Sequence, residues 1–184
     1  MLGSPSVGTT WPRRSTDRST DHPGCSRSAT GSRERVAEYL SKSGLKVELR
    51  QFDESTRSSA LAARALGCSV AEIAKSVVLV GAGTAVVIIS GDKKVDPAKL
   101  ARETGEVMRV ATPNEVKERT GFPIGGVPPF PHGAEVLVYP DASLRRFSQV
   151  WAAAGTPNAV FKIGASDLLG HLGRGPFDLA AEQG

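Results

Sequence analysis

Residues 75–90 read KSVVLVGAGTAVVIIS. Two runs of β-branched and aliphatic residues flank the four-residue segment GAGT, residues 81–84. Such runs favour strands, and a short glycine-containing connection between them is typical of a β-hairpin. We therefore predict an antiparallel pair of strands here. A dinucleotide-binding interpretation of GAGT is weak, because Gly81-x-Gly83 lacks the third glycine and a strand follows where a helix is needed.

The segments before the hairpin carry helix and strand signals in turn. Ser32 is a candidate N-cap for the helix RERVAEYLSKS, which Gly44 ends. LKVELRQF then alternates as a half-buried strand does, and residues 58–66 form a short Ala-rich helix. Ser69 and Glu72 have the spacing of a capping box, so another helical turn is expected directly before the hairpin.

The segments after the hairpin continue this mixture of helices and strands. Asp96-Pro97 is expected to start one helix, and the capping box of Thr112 and Glu115 another. Residues 143–154 are predicted to form a helix, because four apolar residues share one face and a glycine ends the segment: Leu144, Phe147, Val150, Trp151 and Gly155. EVLVY and NAVFKI are predicted strands. A hairpin among these elements indicates an α+β fold with a mixed sheet surrounded by helices.

Composition suggests one domain preceded by a tail. Residues 1–31 are rich in Ser, Thr, Arg, Pro and Gly without apolar periodicity, so we predict a disordered N-terminal extension followed by a domain over residues 32–180. Residues 1–35 hold six arginines and three acidic residues, whereas the remainder holds 17 basic and 16 acidic residues. Because that body is nearly neutral, any contact with nucleic acid must come from a local patch.

The sequence offers little support for metal or redox chemistry. Cys25 and Cys68 are the only cysteines, and no CxxC or Cys/His cluster is present, so we expect neither a metal nor a cofactor. Cys68 is expected to be structural. No secretory signal or apolar stretch of membrane-spanning length occurs. Two cysteines make no disulfide framework, so a cytoplasmic protein is expected.

The segment GFPIGGVPPF, residues 121–130, is called the Gly/Pro loop below. Gly125 and Gly126 lack Cβ atoms, so a ligand can approach their backbone closely, and Val127 keeps its N–H. Pro128 and Pro129 fix φ and stiffen the loop. Backbone donors held in this way suit a carbonyl or oxyanion, although a stiff surface turn explains the composition equally well.

Two charged residues are further candidates. Lys75 precedes the first hairpin strand, where its ammonium could bind a phosphate or lie exposed at a helix end. Asp141 follows a predicted strand, where capping the next helix is its ordinary role and binding a substrate group is the alternative. No nucleophile triad, P-loop or HExxH motif is present.

Several linked blocks give the chain a specific resemblance. IAKSVVLV (73–80), SGDKKVDPAKLA (90–101), TGFPIGGVPPFPH (120–132), YPDASL (139–144) and VWAAAGTPNAVFKI (150–163) occur in this order. Together they resemble the YbaK/EbsC family, the aminoacyl-tRNA deacylase domains related to the editing domain of prolyl-tRNA synthetase. The resemblance covers about residues 32–180 and implies a barrel-like mixed sheet.

The resemblance also implies site residues. The family lysine falls on Lys75 and the GxxxP loop on Gly125–Pro129, with Gly125, Gly126 and Val127 expected to bind the ester carbonyl. Substrate-binding roles are implied for residues around the pocket: Ser58, Pro129, His132, Asp141, Gly155, Thr156 and Asn158. The family often has Thr where this chain has Ser58, and Gly where it has Pro131 before His132. Both departures bear on which side chain is accepted.

The implied activity is that of a trans-acting aminoacyl-tRNA deacylase, which removes a small mischarged amino acid from tRNA(Pro) or a related tRNA. The expected partners are the acceptor end of the aminoacyl-tRNA and an aminoacyl-tRNA synthetase, with no membrane and no DNA. Ala, Cys, Ser, Thr and Pro are all small enough to be removed. A non-catalytic aminoacyl-tRNA-binding module of the same fold is the first alternative, and a cofactor-dependent oxidoreductase resting on GAGT is the second.

Overall fold

The computed structural model describes residues 31–53 and 58–182. The predicted extension therefore lies almost entirely outside the described residues. The helices are α1 (Ser32–Ser43), α2 (Ser59–Leu66), α3 (Pro97–Thr104), α4 (Pro113–Thr120) and α5 (Ala165–Leu172). The strands are β1 (Val47–Gln51), β2 (Ile73–Val80), β3 (Thr84–Ser90), β4 (Arg109–Val110), β5 (Val136–Pro140), β6 (Gln149–Ala153) and β7 (Ala159–Gly164). Short 3₁₀ helices occupy Val70–Glu72 and Ala142–Arg146.

The seven strands form one mixed sheet in the order β1-β7-β6-β2-β3-β5, with β4 paired to β2. The hairpin prediction is confirmed, since β2 and β3 are antiparallel from the Ala74–Ser90 pair to the Val80–Thr84 pair. β2 is parallel to β6, and β3 is parallel to β5. This combination, with helices flanking the sheet, is the mixed α+β architecture that the sequence indicated.

Two apolar clusters lie on opposite faces of β2 and β3. Alternate residues of a strand point to opposite faces, so Val78 of β2 packs into one cluster and Leu79 into the other. The larger cluster contains Val127 of the Gly/Pro loop and Phe161 of β7, both buried. Both faces of the hairpin strands are buried, so successive residues must be apolar. The strand sequences are therefore continuous apolar runs and do not alternate between apolar and polar residues.

The free edge of β2 is divided between two short partners. β6 pairs with its first residues, Ile73 and Ala74, and β4 pairs with its last, Leu79 and Val80. The N–H of Ala111 extends the second contact by donating to the carbonyl of Val78 at 2.9 Å. Among the described strands, none pairs with this edge between the two contacts, so the sheet splits there.

The predicted helix over residues 143–154 is wrong. Ala142–Arg146 is a 3₁₀ helix, and Gln149–Ala153 is strand β6, antiparallel to β7. Val150 points into the large cluster, whereas Trp151 packs on the opposite face with Val160. A strand that is buried on both faces has apolar residues at successive positions. Over a segment this short, such a run also matches the apolar spacing of a helix, so the two patterns cannot be told apart.

Most predicted caps are present, with one exception. The Asp96 side chain accepts from Ala98 N and Lys99 N, and Thr112 and Glu115 form their reciprocal capping box. The N-cap of α1 is Gly31 rather than Ser32, and no side chain bonds to the helix start there. α1 is therefore held by its buried residues Val36 and Leu40 more than by its cap.

Candidate functional site

A pocket of about 300 Å³ opens where β2 lacks a strand partner. Its walls come from four parts of the chain: β2, the Gly/Pro loop, the start of α2, and β6 with β7. The lining residues that matter most are Lys75 and Ser76 from β2, Gly125 and Val127 from the loop, Ser58 before α2, and Ala152 from β6. The split in the sheet thus creates the pocket, and residues far apart in sequence meet around it.

Lys75 is the charged residue among the described pocket walls. Its Nζ donates to the Gly91 carbonyl at 3.1 Å and also to the Lys93 carbonyl. An ammonium group has three N–H donors, so these two bonds leave one for a ligand. Burial lowers the pKa of the Lys75 ammonium, an effect that nearby Asp92 opposes and Lys94 reinforces. The lysine is therefore held in place by uncharged acceptors.

A polar network fixes the segment that supplies these carbonyls. Ser90 Oγ donates to Asp92 Oδ1 at 2.6 Å, and Arg146 Nη2 donates to the same oxygen at 2.8 Å. The Arg146 hydrogen bond is the largest cause that lowers the pKa of the Asp92 carboxyl, so Asp92 stays ionised. Because residues 90–93 are tied down on both sides, the Lys75 ammonium has a fixed position.

The Gly/Pro loop forms another wall of the pocket. Gly125 has φ of 79°, a conformation that favours glycine, and both Gly125 and Val127 line the pocket. Gly126 N–H instead donates to the Pro123 carbonyl at 2.9 Å and closes a turn. Within the described residues, no hydrogen bond engages the N–H of Gly125 or Val127. These two donors are thus the ones left for a ligand.

Gly126 holds the loop against the segment after β6. An added Cβ at Gly126 would lie 2.7–2.9 Å from the backbone atoms Cα, C and N of Thr156. Such distances are too short for any side chain, so the two backbones touch only because Gly126 has none. The loop is therefore positioned by backbone-to-backbone packing.

Residues 155–158 support the pocket from outside its lining. Gly155 packs against the carbonyl of Ser32 at the start of α1. Thr156 Oγ1 donates to Asn158 Oδ1 at 2.9 Å, and Asn158 Nδ2 donates to the Phe52 carbonyl at 3.1 Å. These contacts connect the loop to β1 and α1. Substrate binding by Gly155, Thr156 and Asn158 stays a prediction.

Asp141 is buried, with 1% of its surface exposed, and does not line the pocket. Its Oδ1 accepts from Ser143 N and its Oδ2 from Leu179 N, each at 2.8 Å. It therefore caps the 3₁₀ helix and anchors the C-terminal segment, which matches the capping role expected for it. Its substrate-binding role stays a prediction.

Pro129 and His132 do not line this pocket. They line a separate cavity instead. His132 Nε2 donates to the Pro128 carbonyl at 2.8 Å, and its ring stands edge-on to Phe122 at 5.8 Å. Burial lowers the pKa of His132; the Pro128 bond opposes that shift and Arg35 adds to it. His132 thus fixes the loop from behind, and contact with substrate stays a prediction for both residues.

Ser76 and Trp151 are among the pocket residues that sequence reasoning missed. Ser76 lines the pocket, and its buried Oγ has no hydrogen-bond partner within the described part of the chain. Trp151 lines it as well, from the segment wrongly predicted as a helix. The position of Ser76 next to Lys75 was visible in the sequence, but only the split in the sheet shows why that position faces a cavity.

The structure shows no grouping suited to a metal in the part of the chain that it describes: His, Cys, Asp and Glu do not cluster in threes there. Cys68 is partly buried, and burial raises the pKa of its thiol. Among the described helices, none is long and apolar enough to cross a membrane.

The mixed sheet is split beside Lys75, and the glycine-rich loop lines the same pocket. The chain belongs to the family of aminoacyl-tRNA editing domains, whose family model matches residues 53–170. The match includes α2, the hairpin, the Gly/Pro loop and β6–β7, and therefore every element that lines the pocket.

Individual relatives agree with this family. An uncharacterized protein of Bacillus subtilis (strain 168), YwhH, is 37% identical over 123 residues, which cover 66% of this chain and 78% of YwhH. A solved structure described as a "putative trans-editing enzyme for prolyl tRNA synthetase" is 41% identical, with a TM-score of 0.74 over 82% of this chain and 98% of that one. The "hypothetical protein APE2540" is 31% identical, with a TM-score of 0.76 over 80% and 100%.

Proposed function

We propose that this chain is a trans-acting aminoacyl-tRNA deacylase that hydrolyses the ester of a small mischarged amino acid on tRNA(Pro) or a related tRNA. The observation that carries the proposal is that Lys75, Gly125 and Val127 line one pocket, while the N–H groups of Gly125 and Val127 have no hydrogen-bond partner among the described residues. The family supports the reaction class, and the similar structure described as acting for prolyl tRNA synthetase supports the choice of tRNA.

The loop donors stabilise the charge that develops on the ester oxygen. Water attacks the carbonyl carbon, and the carbonyl oxygen gains negative charge opposite the N–H groups of Gly125 and Val127. The bond to the ribose oxygen then breaks, that oxygen takes a proton, and the free amino acid leaves. Gly126 contributes through the turn and its contact with Thr156, which hold the two donors in place. The neighbouring ribose hydroxyl of the substrate assists the proton transfer.

Lys75 binds the terminal phosphate of the tRNA through its remaining N–H. Its other two donors are held by carbonyls rather than carboxylates, so its charge stays available to an anion. Ala74, Ala152 and Ala153 line the pocket beside it, and the pocket volume of about 300 Å³ limits the size of the acyl group that fits. A pocket of this kind excludes large amino acids by shape.

The acceptor end of the tRNA contacts this pocket. The chain after residue 35 is nearly neutral and attracts tRNA only weakly, so a synthetase that presents the charged tRNA provides the remaining affinity for it. Residues 32–180 form the deacylase domain, which acts in the cytoplasm. Residues 1–31 are an extension that deacylation does not require.

The test is deacylation of a panel of mischarged tRNAs by the full chain and by a chain lacking residues 1–31. We expect Lys75→Ala to lower kcat/KM by roughly 10- to 100-fold, the scale of losing a hydrogen bond to a charged group. Lys42→Ala is the matched control, because Lys42 is exposed on α1 and pairs with Glu38. Equal turnover by wild type, Lys75→Ala and Gly125→Ala would refute the site.

A second candidate is an aminoacyl-tRNA-binding module without hydrolysis. It is favoured by one observation: among the described pocket walls there is no Asp, Glu or His to act as a general base. Tight binding of a charged tRNA, with no ester hydrolysis across the whole panel, would support this module and reject the deacylase.

A further inference from the structure

The β2 wall of the pocket holds a polar residue that deacylation as proposed does not use. Ser76 follows Lys75, so its side chain points to the opposite face of the strand, the face shared with Ala74 and Val78. Its Oγ is buried, and no hydrogen-bond partner for it exists within residues 31–53 and 58–182. A buried hydroxyl without a partner costs about 1–3 kcal/mol, so its presence calls for a ligand.

The backbone of Ser76 adds to this polar spot. The N–H and C=O of alternate strand residues point to the same edge, and the Val78 carbonyl points to the edge that Ala111 occupies. The backbone groups of Ser76 therefore point to that edge too, into the split between β6 and β4. Ser76, which lines the pocket, thus combines a buried Oγ with backbone groups at the open edge of β2.

The surroundings select the kind of group that can meet them. Ala74, Val127 and Ala152 make the adjoining walls small and apolar, and no carboxylate occurs among the described lining residues. An ammonium group placed there would lose its hydration without a counter-charge, and Lys75 would repel it. A neutral hydroxyl satisfies Ser76 at no such cost.

We propose that Ser76 is a specificity-determining residue whose Oγ hydrogen-bonds the side-chain hydroxyl of a β-hydroxy amino acid. This inference rests on the proposed deacylase function and narrows it: seryl and threonyl esters are the preferred substrates, and alanyl esters are poor ones. A site built to hydrogen-bond a hydroxyl rejects the analogue without it, because the protein group is then left buried and unsatisfied.

The experiment compares four esters on one tRNA(Pro) transcript, charged with serine, threonine, alanine or valine. Threonine and valine have nearly the same shape, so their comparison isolates the hydroxyl from size. For the full chain we expect kcat/KM for each hydroxyl ester to exceed that of its partner, serine over alanine and threonine over valine, by roughly 10- to 100-fold. In Ser76→Ala the preference falls to within about threefold, while Ser76→Thr, which keeps a hydroxyl, retains it for the seryl ester.

The outcomes separate this inference from the proposed function. Equal wild-type rates on seryl and alanyl esters, or an unchanged preference in a folded Ser76→Ala variant, would overturn the role of Ser76. If wild type hydrolyses none of the four but hydrolyses another ester of the panel, the preference for hydroxyl esters is rejected. If it hydrolyses no ester of the panel, the deacylase proposal fails, and only binding measurements can test the role of Ser76. Wild type should then bind an acceptor-stem RNA ending in a non-hydrolysable seryl amide more tightly than the matching alanyl RNA. Ser76→Ala should bind the two RNAs equally. Equal binding of the two RNAs by wild type would reject the role of Ser76.

Discussion

Two cavities lie on either side of Trp151, which lines both. The pocket described above reaches the N-terminal end of α2 at Ser58. A second cavity of about 430 Å³, here called the polar cleft, reaches its C-terminal end at Gly67. Charged side chains surround the polar cleft: Arg50, Glu72, Arg146 and Lys162. The two cavities thus differ in charge: the pocket has one charged residue among its described lining residues, and the polar cleft is lined by charges of both signs.

The difference lies in how the cations are satisfied. In the polar cleft, Arg50 pairs with Glu48 at 2.7 Å and Arg146 with Asp92 at 2.8 Å. In the pocket, Lys75 forms no salt bridge with any described residue and is held by two carbonyls. At Arg50 and Arg146 a ligand anion would compete with a carboxylate, whereas in the pocket it meets an already placed ammonium. We therefore expect the chemistry to depend on the pocket and only weakly on the cleft.

The largest effect is expected from Gly126→Ala, because the pocket wall depends on backbone contact. The added Cβ would meet Thr156 backbone atoms at 2.7–2.9 Å, and neither backbone can move without displacing the loop. We expect a loss of about 2–3 kcal/mol in the free energy of unfolding, the upper range for overpacking, together with loss of deacylation. Urea unfolding followed by circular dichroism measures the first.

Gly170→Ala is the control, since Gly170 lies in α5 and an added Cβ meets nothing within 4 Å. Alanine is the better helix former, so this variant should gain about 0.5–1 kcal/mol. A Gly126→Ala variant as stable as wild type would show that the loop does not depend on this contact.

The sequence predicted the hairpin and the Gly/Pro loop for physical reasons that act locally. β-Branched runs favour strands wherever they occur, and glycine and proline restrict the loop whatever surrounds it. Trp151 and Ser76 could not be placed in this way. Trp151 belongs to a strand that is buried on both faces, and its apolar spacing matches that of a helix. Ser76 faces a cavity only because neither β6 nor β4 pairs with the middle of β2. Both depend on pairing between distant segments.

The second prediction concerns His132, which supports the loop from behind. Burial places the pKa of folded His132 below its ordinary value near 6.5, so the unfolded chain takes up a proton first as the pH falls. Stability is therefore lost as the pH falls through about 6.5 towards the folded pKa. His132→Gln, which keeps an N–H donor for the Pro128 carbonyl, should lose less stability than wild type between about pH 7.5 and pH 5.

Urea midpoints measured at both pH values, for wild type and His132→Gln, give the comparison. Other titrating groups change equally in the two proteins, so the difference between the two pH responses isolates His132. An identical response would mean that His132 does not stay neutral against the loop.

The smallest effect is expected in the polar cleft, from the double variant Arg50→Gln/Lys162→Gln. Both cations lie over the Trp151 ring, at 4.9 and 5.5 Å from its centroid, and Arg50 already faces Glu48. Surface contacts of this kind contribute little, so we expect deacylation to change by no more than about threefold at moderate salt. Rates measured over a range of salt concentrations test this against contact with the RNA backbone, because each lost phosphate contact would reduce the logarithmic salt slope by about 0.7–0.9. A reduced slope would show that the polar cleft is part of the tRNA-binding surface. A loss of deacylation as large as that of Lys75→Ala would show that deacylation depends on the polar cleft as much as on the pocket.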